Sequence, residues 1–406
     1  MRSPSPFLAA LICFLALNGI LAAGSFIHLD RYDFPYQGWA WWLMQDLKED
    51  QEAHNIAFLG SSLTVSALNS ADATRYGETL DLVEYHRVRY LDEKLEQSFG
   101  GRFSTFNLSG PGQMPSDAYL TIKACVEGGH RPDMIIYGIA PRDFIDSELA
   151  SPADTEPFRF LSRLVDVEDK ADKLYRSPLS RINRALERSI YLYRNAVDMQ
   201  MLAGNTWTSA VTGLLPEPPG AKPFTYWDRK TLLPDYKKGE FHQKASLCIP
   251  QDLSKPNEYL DNSREYVERY RRPDPVAFDT QMHFLDELAA YTHANNIALV
   301  VVNMPITKDN LALLEDQHYR KYHAALSAFA ASSGSTFFDL NDHDKFYKEE
   351  HFHDGVHMNA RGGIKFVDEL VALLAERQET RALLEESGES LMKKAIAQKR
   401  SKPGAM

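Results

Sequence analysis

Five short apolar runs, spaced by helical patterns, constrain this chain more than any other feature. They are Asn55–Gly60 (NIAFLG), Phe103–Leu108 (FSTFNL), Asp133–Ile139 (DMIIYGI), Ile297–Met304 (IALVVVNM) and Thr336–Leu340 (TFFDL). Runs that are apolar throughout, rather than alternating, mark strands buried on both faces. Helical patterns lie between or beside them at Asp81–Phe99, Ser116–Gly128, Asp279–Asn295, Asn310–Ser332 and Ala360–Glu376. Such alternation predicts an α/β fold in three layers, a parallel sheet of about five strands with helices on both faces.

The alternation is interrupted once, so the sheet domain reads as two parts, 55–146 and 279–377, separated by residues 147–278. That segment holds a Pro-rich stretch at Pro216–Gly220, the aromatics Trp207, Phe224, Tyr226 and Trp227, and the charged helical stretch Ala171–Met201. It is expected to be a helical and loop insertion. Residues 378–406 read as a charged, frayed helical tail ending in a disordered Lys402–Met406.

No charged side chain interrupts Phe7–Ile27. This is roughly the 20 residues a helix needs to cross a hydrocarbon layer. Residues 1–28 are a signal anchor, or a signal peptide cleaved near Ala22-Ala23-Gly24, or a buried core helix. Either of the first two exports the remainder. In residues 29–54, the cluster Tyr36–Trp42 suits a membrane-interface belt or an aromatic lid packed on the domain.

The chain has 406 residues, 44% of them hydrophobic, enough to bury a core without staples. With 45 basic against 56 acidic residues its net charge is −11, so no basic field exists to hold nucleic acid. Three cysteines exclude a disulfide scaffold and a four-cysteine zinc site. Cys125 and Cys248 either pair or remain thiols.

Open parallel sheets bind ligands at the carboxyl ends of their strands. The predicted strands end in Gly60-Ser61-Ser62-Leu63-Thr64, Asn107–Gly112, Pro141-Arg142-Asp143 and Asn303-Met304-Pro305, and the fifth is followed by His353-Asp354-Gly355-Val356-His357-Met358-Asn359. Polar groups thus converge on one rim. They suit acyl transfer. A serine hydroxyl needs a base to take its proton, and His357 can be that base with Asp354 orienting its imidazole. Ser62 falls where the first strand turns into a helix, where backbone N–H groups can stabilise an oxyanion. Gly112 can bring another N–H close. This chemistry needs neither cofactor nor metal. His351, His353, Asp354 and His357 could instead ligate zinc, though that would compete for Asp354 and His357. No Gly-rich loop ending in Lys-Ser or Lys-Thr is present to cradle a nucleotide phosphate.

These segments resemble the SGNH (GDSL) hydrolases. Gly60–Thr64 is similar to their first block, with Ser61 in place of the usual Asp; Asn107–Gly112 is similar to the second, and Asp354–Asn359 to the last. The resemblance covers about Asn55–Asp143 and Asp279–Leu374. It implies a flavodoxin-like α/β/α fold with catalytic Ser62, Asp354 and His357, and an oxyanion hole of Ser62, Gly112 and Arg142. Arg142 stands where the family has an Asn. The apolar N-terminus, the insertion and Asn303-Met304-Pro305 resemble the exported branch of the family, including proteins of alginate-type O-acetylation and teichoic-acid D-alanylation. That implies an acylated envelope glycan as substrate and a membrane acyltransferase as partner. The alternative is a non-catalytic module that binds glycan or such a partner.

Overall fold

The computed structural model describes residues 5–24, 30–32, 38–146, 151–212, 247–341 and 349–401. Tyr36, Pro216–Gly220, Phe224, Tyr226, Trp227 and Lys402–Met406 lie outside them. The chain divides into two compact units, one of Met1–Trp41 and Ser151–Lys244, the other of Trp42–Ala150 and Ala245–Met406.

The second unit holds the strands β1 (Ile56–Gly60), β2 (Leu80–Asp81), β3 (Thr105–Asn107), β4 (Met134–Ile139), β5 (Leu247–Cys248), β6 (Ala298–Asn303) and β7 (Thr336–Asp339). Five of them form one parallel sheet in the order β3-β1-β4-β6-β7. Each of the five apolar runs supplies one strand. Counted along the chain, this is the flavodoxin-like order 2-1-3-4-5, which reverses direction at β1. Ile56, Phe58, Leu59, Ile135, Ile136 and Val300 are fully buried. Each such side chain contributes about 1.5–3 kcal/mol of burial.

The helices Ser62–Tyr76 and Ala360–Glu376 pack closely. Their spacing is set by Gly363, where an added Cβ would lie 2.0 Å from the Ala67 carbonyl oxygen. Two predicted helices are redrawn by polar contacts. Asp81–Phe99 yields only Arg89–Phe99, because the Asp72 carboxylate caps that helix from another segment, accepting the Arg89 and Tyr90 amides at 2.8 Å each. The predicted helix Asn310–Ser332 is two, Lys308–Ala312 and Asp316–Ser333. Thr307 caps the first while its own amide and hydroxyl are held by the Gly355 carbonyl.

The charged tail is helical over Gln378–Ser401 and packs on the sheet-bearing unit. Leu384 and Leu391, seven residues apart on one face, are buried. Ser387 donates to Asp133 at 2.7 Å and accepts from Asn55 at 3.0 Å, pinning this helix beside the amino ends of β1 and β4. The last part of the expected insertion also belongs to this unit: β5 pairs antiparallel with β2, and the helix Ser263–Tyr270 buries Tyr266 and Tyr270. Cys125 and Cys248 are both free thiols.

The first unit contains the apolar helix Pro6–Gly24, which buries none of its residues and has a mean hydropathy of 2.3. By length and composition it is able to cross a membrane. The charged stretch Ala171–Met201 forms the helices Ala171–Leu174, Pro178–Ser189 and Tyr191–Arg194 and enters a fourth, Ala196–Thr212. Trp41 is buried.

Candidate active site

The site is built where β1 gives way to the helix Ser62–Tyr76. Gly60 makes that turn with φ +151°, and a Cβ there would lie 2.1 Å from the Thr64 hydroxyl. Only glycine accepts such a conformation so close to a neighbour. Ser62 is the first residue of the helix, so its N–H is among those without an intrahelical acceptor, at the positive end of the helix.

The second half of the site comes from the loop between Phe352 and Met358, which pair across a short antiparallel bridge closed by the His353 amide on the His357 carbonyl at 2.7 Å. Asp354 heads an Asx turn inside it. Its Oδ1 accepts the Val356 amide at 2.9 Å and the His357 amide at 2.8 Å. Its Oδ2 stands 2.8 Å from His357 Nδ1. An ionised carboxylate only accepts, so Nδ1 carries the proton and Nε2 presents a lone pair in the neutral ring. Nε2 lies 2.8 Å from Ser62 Oγ. Residues 295 positions apart thus form one chain, Ser62 to His357 to Asp354. Burial pushes the Asp354 carboxyl up. The hydrogen bond and charge of His357 and the two loop amides outweigh it, and the net shift is below the usual value of 3.8.

Gly112 and Arg142 come together near the end of β1. The loop carrying Gly112 is bound to the end of β1: the Gly110 amide donates to the Gly60 carbonyl at 3.0 Å, and the Gly60 amide to Gln113 Oε1 at 2.9 Å. A Cβ on Gly112 would lie 3.4 Å from Arg142 Nη2. The Arg142 guanidinium is fixed by Asp146 Oδ2 at 3.0 Å, a carboxylate it shares with Arg269 at 2.6 Å. Arg142 Nη1 stands 3.6 Å from the fully buried Asp143. Burial pushes the Asp143 carboxyl up to about 6, against the opposing pull of Arg142, the Ala140 amide and the Ser61 hydroxyl.

Four supports were not visible in the sequence. Ser66 donates to the Met358 carbonyl at 2.8 Å. Asn262 accepts the Gly355 amide at 3.0 Å. Gln113 reads the end of β1, and Asp146 holds both arginines. Asn359 caps the helix Ala360–Glu376 while donating to the Glu350 and Phe352 carbonyls. Among the described residues, no group of three or more His, Cys, Asp or Glu side chains is placed to hold a metal ion. Asp354 and His357 are engaged with each other.

No family model matches the sequence, and no curated protein does. Among solved structures, the chain is similar to a Bacteroides fragilis NCTC 9343 protein described as a "putative acylhydrolase", at 9% identity and a TM-score of 0.36, over 82% of this chain and 95% of that one. It is also similar to a catalytic mutant of Axe2, an acetylxylan esterase from Geobacillus stearothermophilus, at 11% identity and a TM-score of 0.34, over 80% of this chain and 95% of that one.

Proposed function

We propose that the chain is an exported serine esterase or O-acyltransferase of the SGNH type. It acts on ester-linked acyl groups of cell-envelope polysaccharide and is held at the membrane by the helix Pro6–Gly24. The observation that carries the chemistry is the pair of 2.8 Å contacts joining Ser62 Oγ, His357 and Asp354.

In this reading Ser62 Oγ bonds to the ester carbonyl carbon while His357 Nε2 takes the hydroxyl proton. Asp354 holds the ring and stabilises the imidazolium. The carbonyl electron pair moves onto oxygen, facing the Ser62 and Gly112 amides and the Arg142 guanidinium. Collapse breaks the bond to the alcohol, which leaves with the proton from His357. The acyl-serine then passes its acyl group to water or to a sugar hydroxyl by the same steps in reverse. Arg142 takes the place of a neutral amide donor, and Asp146 keeps its guanidinium in position.

The test is turnover of a small acetyl ester, and of O-acetylated envelope polysaccharide, by the purified full chain. Release or transfer of acetyl that disappears in Ser62→Ala supports the reading. Activity equal in Ser62→Ala, or absent in the wild type while glycan binding persists, contradicts it.

A further inference from the structure

We propose that the helices Pro178–Ser189 and Tyr191–Arg194, with Trp207 of the helix Ala196–Thr212, lie on the anionic headgroup layer of the bilayer that the helix Pro6–Gly24 enters. The proposal rests on the membrane-anchor part of the preceding reading and is independent of the esterase chemistry.

Three observations within the first unit carry it. The first is depth. The Leu192 amide donates to Asn18 Oδ1 at 3.0 Å, so the segment is bonded directly to the apolar helix. Asn18 stands six residues before the last residue, Gly24. At 1.5 Å per residue that is about 9 Å along the axis. Amphipathic helices at a membrane surface sink their apolar face roughly 5–10 Å into the headgroup boundary. The contact therefore falls at the level where an interfacial helix would lie.

The second is unburied apolar surface. Leu179 and Ile182, three positions apart and so on one helical face, are 67% and 58% exposed, and Trp207 is 70% exposed. Tyr193 is also exposed and donates to Asn183, the neighbour of Ile182, at 3.1 Å. Large apolar side chains left exposed side by side, as Leu179 and Ile182 are, mark an interaction surface. Trp and Tyr favour the boundary between lipid and water.

The third is charge. Between Arg176 and Arg194 the sequence has Arg176, Arg181, Arg184, Arg188 and Arg194 against the single acid Glu187, in a chain of net charge −11. Arg184 stacks on Tyr175 and touches Glu168, whereas Arg188 is largely exposed. A basic amphipathic segment beside a membrane-crossing helix is drawn to anionic lipid. A bilayer is favoured over a protein partner because the apolar helix bonded to this segment is itself long and apolar enough to enter one.

The experiment uses the full chain in phosphatidylcholine vesicles with and without phosphatidylglycerol. In a background with Cys13 and Cys248 replaced by Ser, Ile182→Cys carries a fluorophore. A second sample carries it on the native Cys13, with Cys248 replaced. Loss of most of the emission at position 182 to a nitroxide near the headgroup, strengthened by phosphatidylglycerol and weakened by salt, supports the proposal. Loss of Trp207 quenching in Trp207→Phe gives a second readout. The Cys13 label should be quenched by a nitroxide deep in the acyl chains. A deep Cys13 with position 182 open to aqueous iodide overturns the proposal but keeps the anchor. A Cys13 label that is itself open to iodide overturns both.

Discussion

Ser66 and Met358 are joined by a 2.8 Å hydrogen bond from the serine hydroxyl to the methionine carbonyl. Ser66 lies one helical turn beyond Ser62, and Met358 is the residue after His357. The bond therefore ties the helix that carries Ser62 to the loop that carries His357. Replacing it by Ser66→Ala should cost about 1 kcal/mol of stability. It should lower kcat more than KM, because loosened geometry is felt in the transition state. Thermal melting and steady-state kinetics check both.

Asp354→Asn should leave the fold intact, since an amide oxygen can still accept the Val356 and His357 amides. It should nevertheless lower kcat by about 10⁴-fold, because the imidazole loses the acceptor that fixes its tautomer. Unchanged kcat with a normal melting curve would contradict the role given to Asp354.

Arg142→Ala removes the charged donor beside Gly112 and leaves Asp146 with Arg269. A loss of one oxyanion donor predicts a kcat lower by about 10²–10³-fold with KM little changed. A melting transition shifted only slightly would separate this from unfolding. A variant with full kcat would make Arg142 a structural ion-pair partner of Asp146.

Gly363→Ala would push a methyl group against the Ala67 carbonyl. Overpacking of this kind costs about 1–3 kcal/mol, readable as a lower midpoint in urea. Because the two helices it separates carry Ser62 and follow His357, esterase turnover should fall with it.

Asp92 offers a pH test of the core away from the site. Its carboxylate accepts the Thr105 hydroxyl at 2.5 Å and the Thr105 amide at 3.1 Å. Burial pushes its pKa up to about 7, against an ordinary value of 3.8. The folded chain therefore takes up this proton before the unfolded chain does. Stability from this group is greatest at acid pH and falls as pH rises to about 7, with a slope of at most about 1.4 kcal/mol per pH unit. Asp92→Asn should remove that slope, so its stability relative to wild type should rise between pH 5 and 8 on the order of that slope. Urea titrations across that range measure it.

The sheet was legible because a strand buried on both faces must be apolar along its length, and five such runs stand out. That Ser62, Asp354 and His357 meet was legible because a glycine-led strand end and an Asp-x-x-His turn are local patterns. The scaffold around them was not. Asn262 and Gly355 meet across 93 positions through one hydrogen bond, and a single polar contact leaves no periodic trace. Residues 247–270 were therefore grouped with the insertion, although they pack in the sheet-bearing unit. Asp72 capping a helix 17 residues away likewise has no local signature. The packing of the C-terminal helix leaves little trace, because its charged face hides a narrow stripe, Leu384 and Leu391.

The account turns on whether Ser62 is an activated nucleophile. Incubation of the full chain with a fluorophosphonate probe, followed by peptide mass spectrometry, measures this directly. The account predicts one covalent adduct, on Ser62, formed by the wild type and abolished in His357→Ala. A native chain that takes up no probe, or an adduct on Ser62 that forms equally fast without His357, would contradict it.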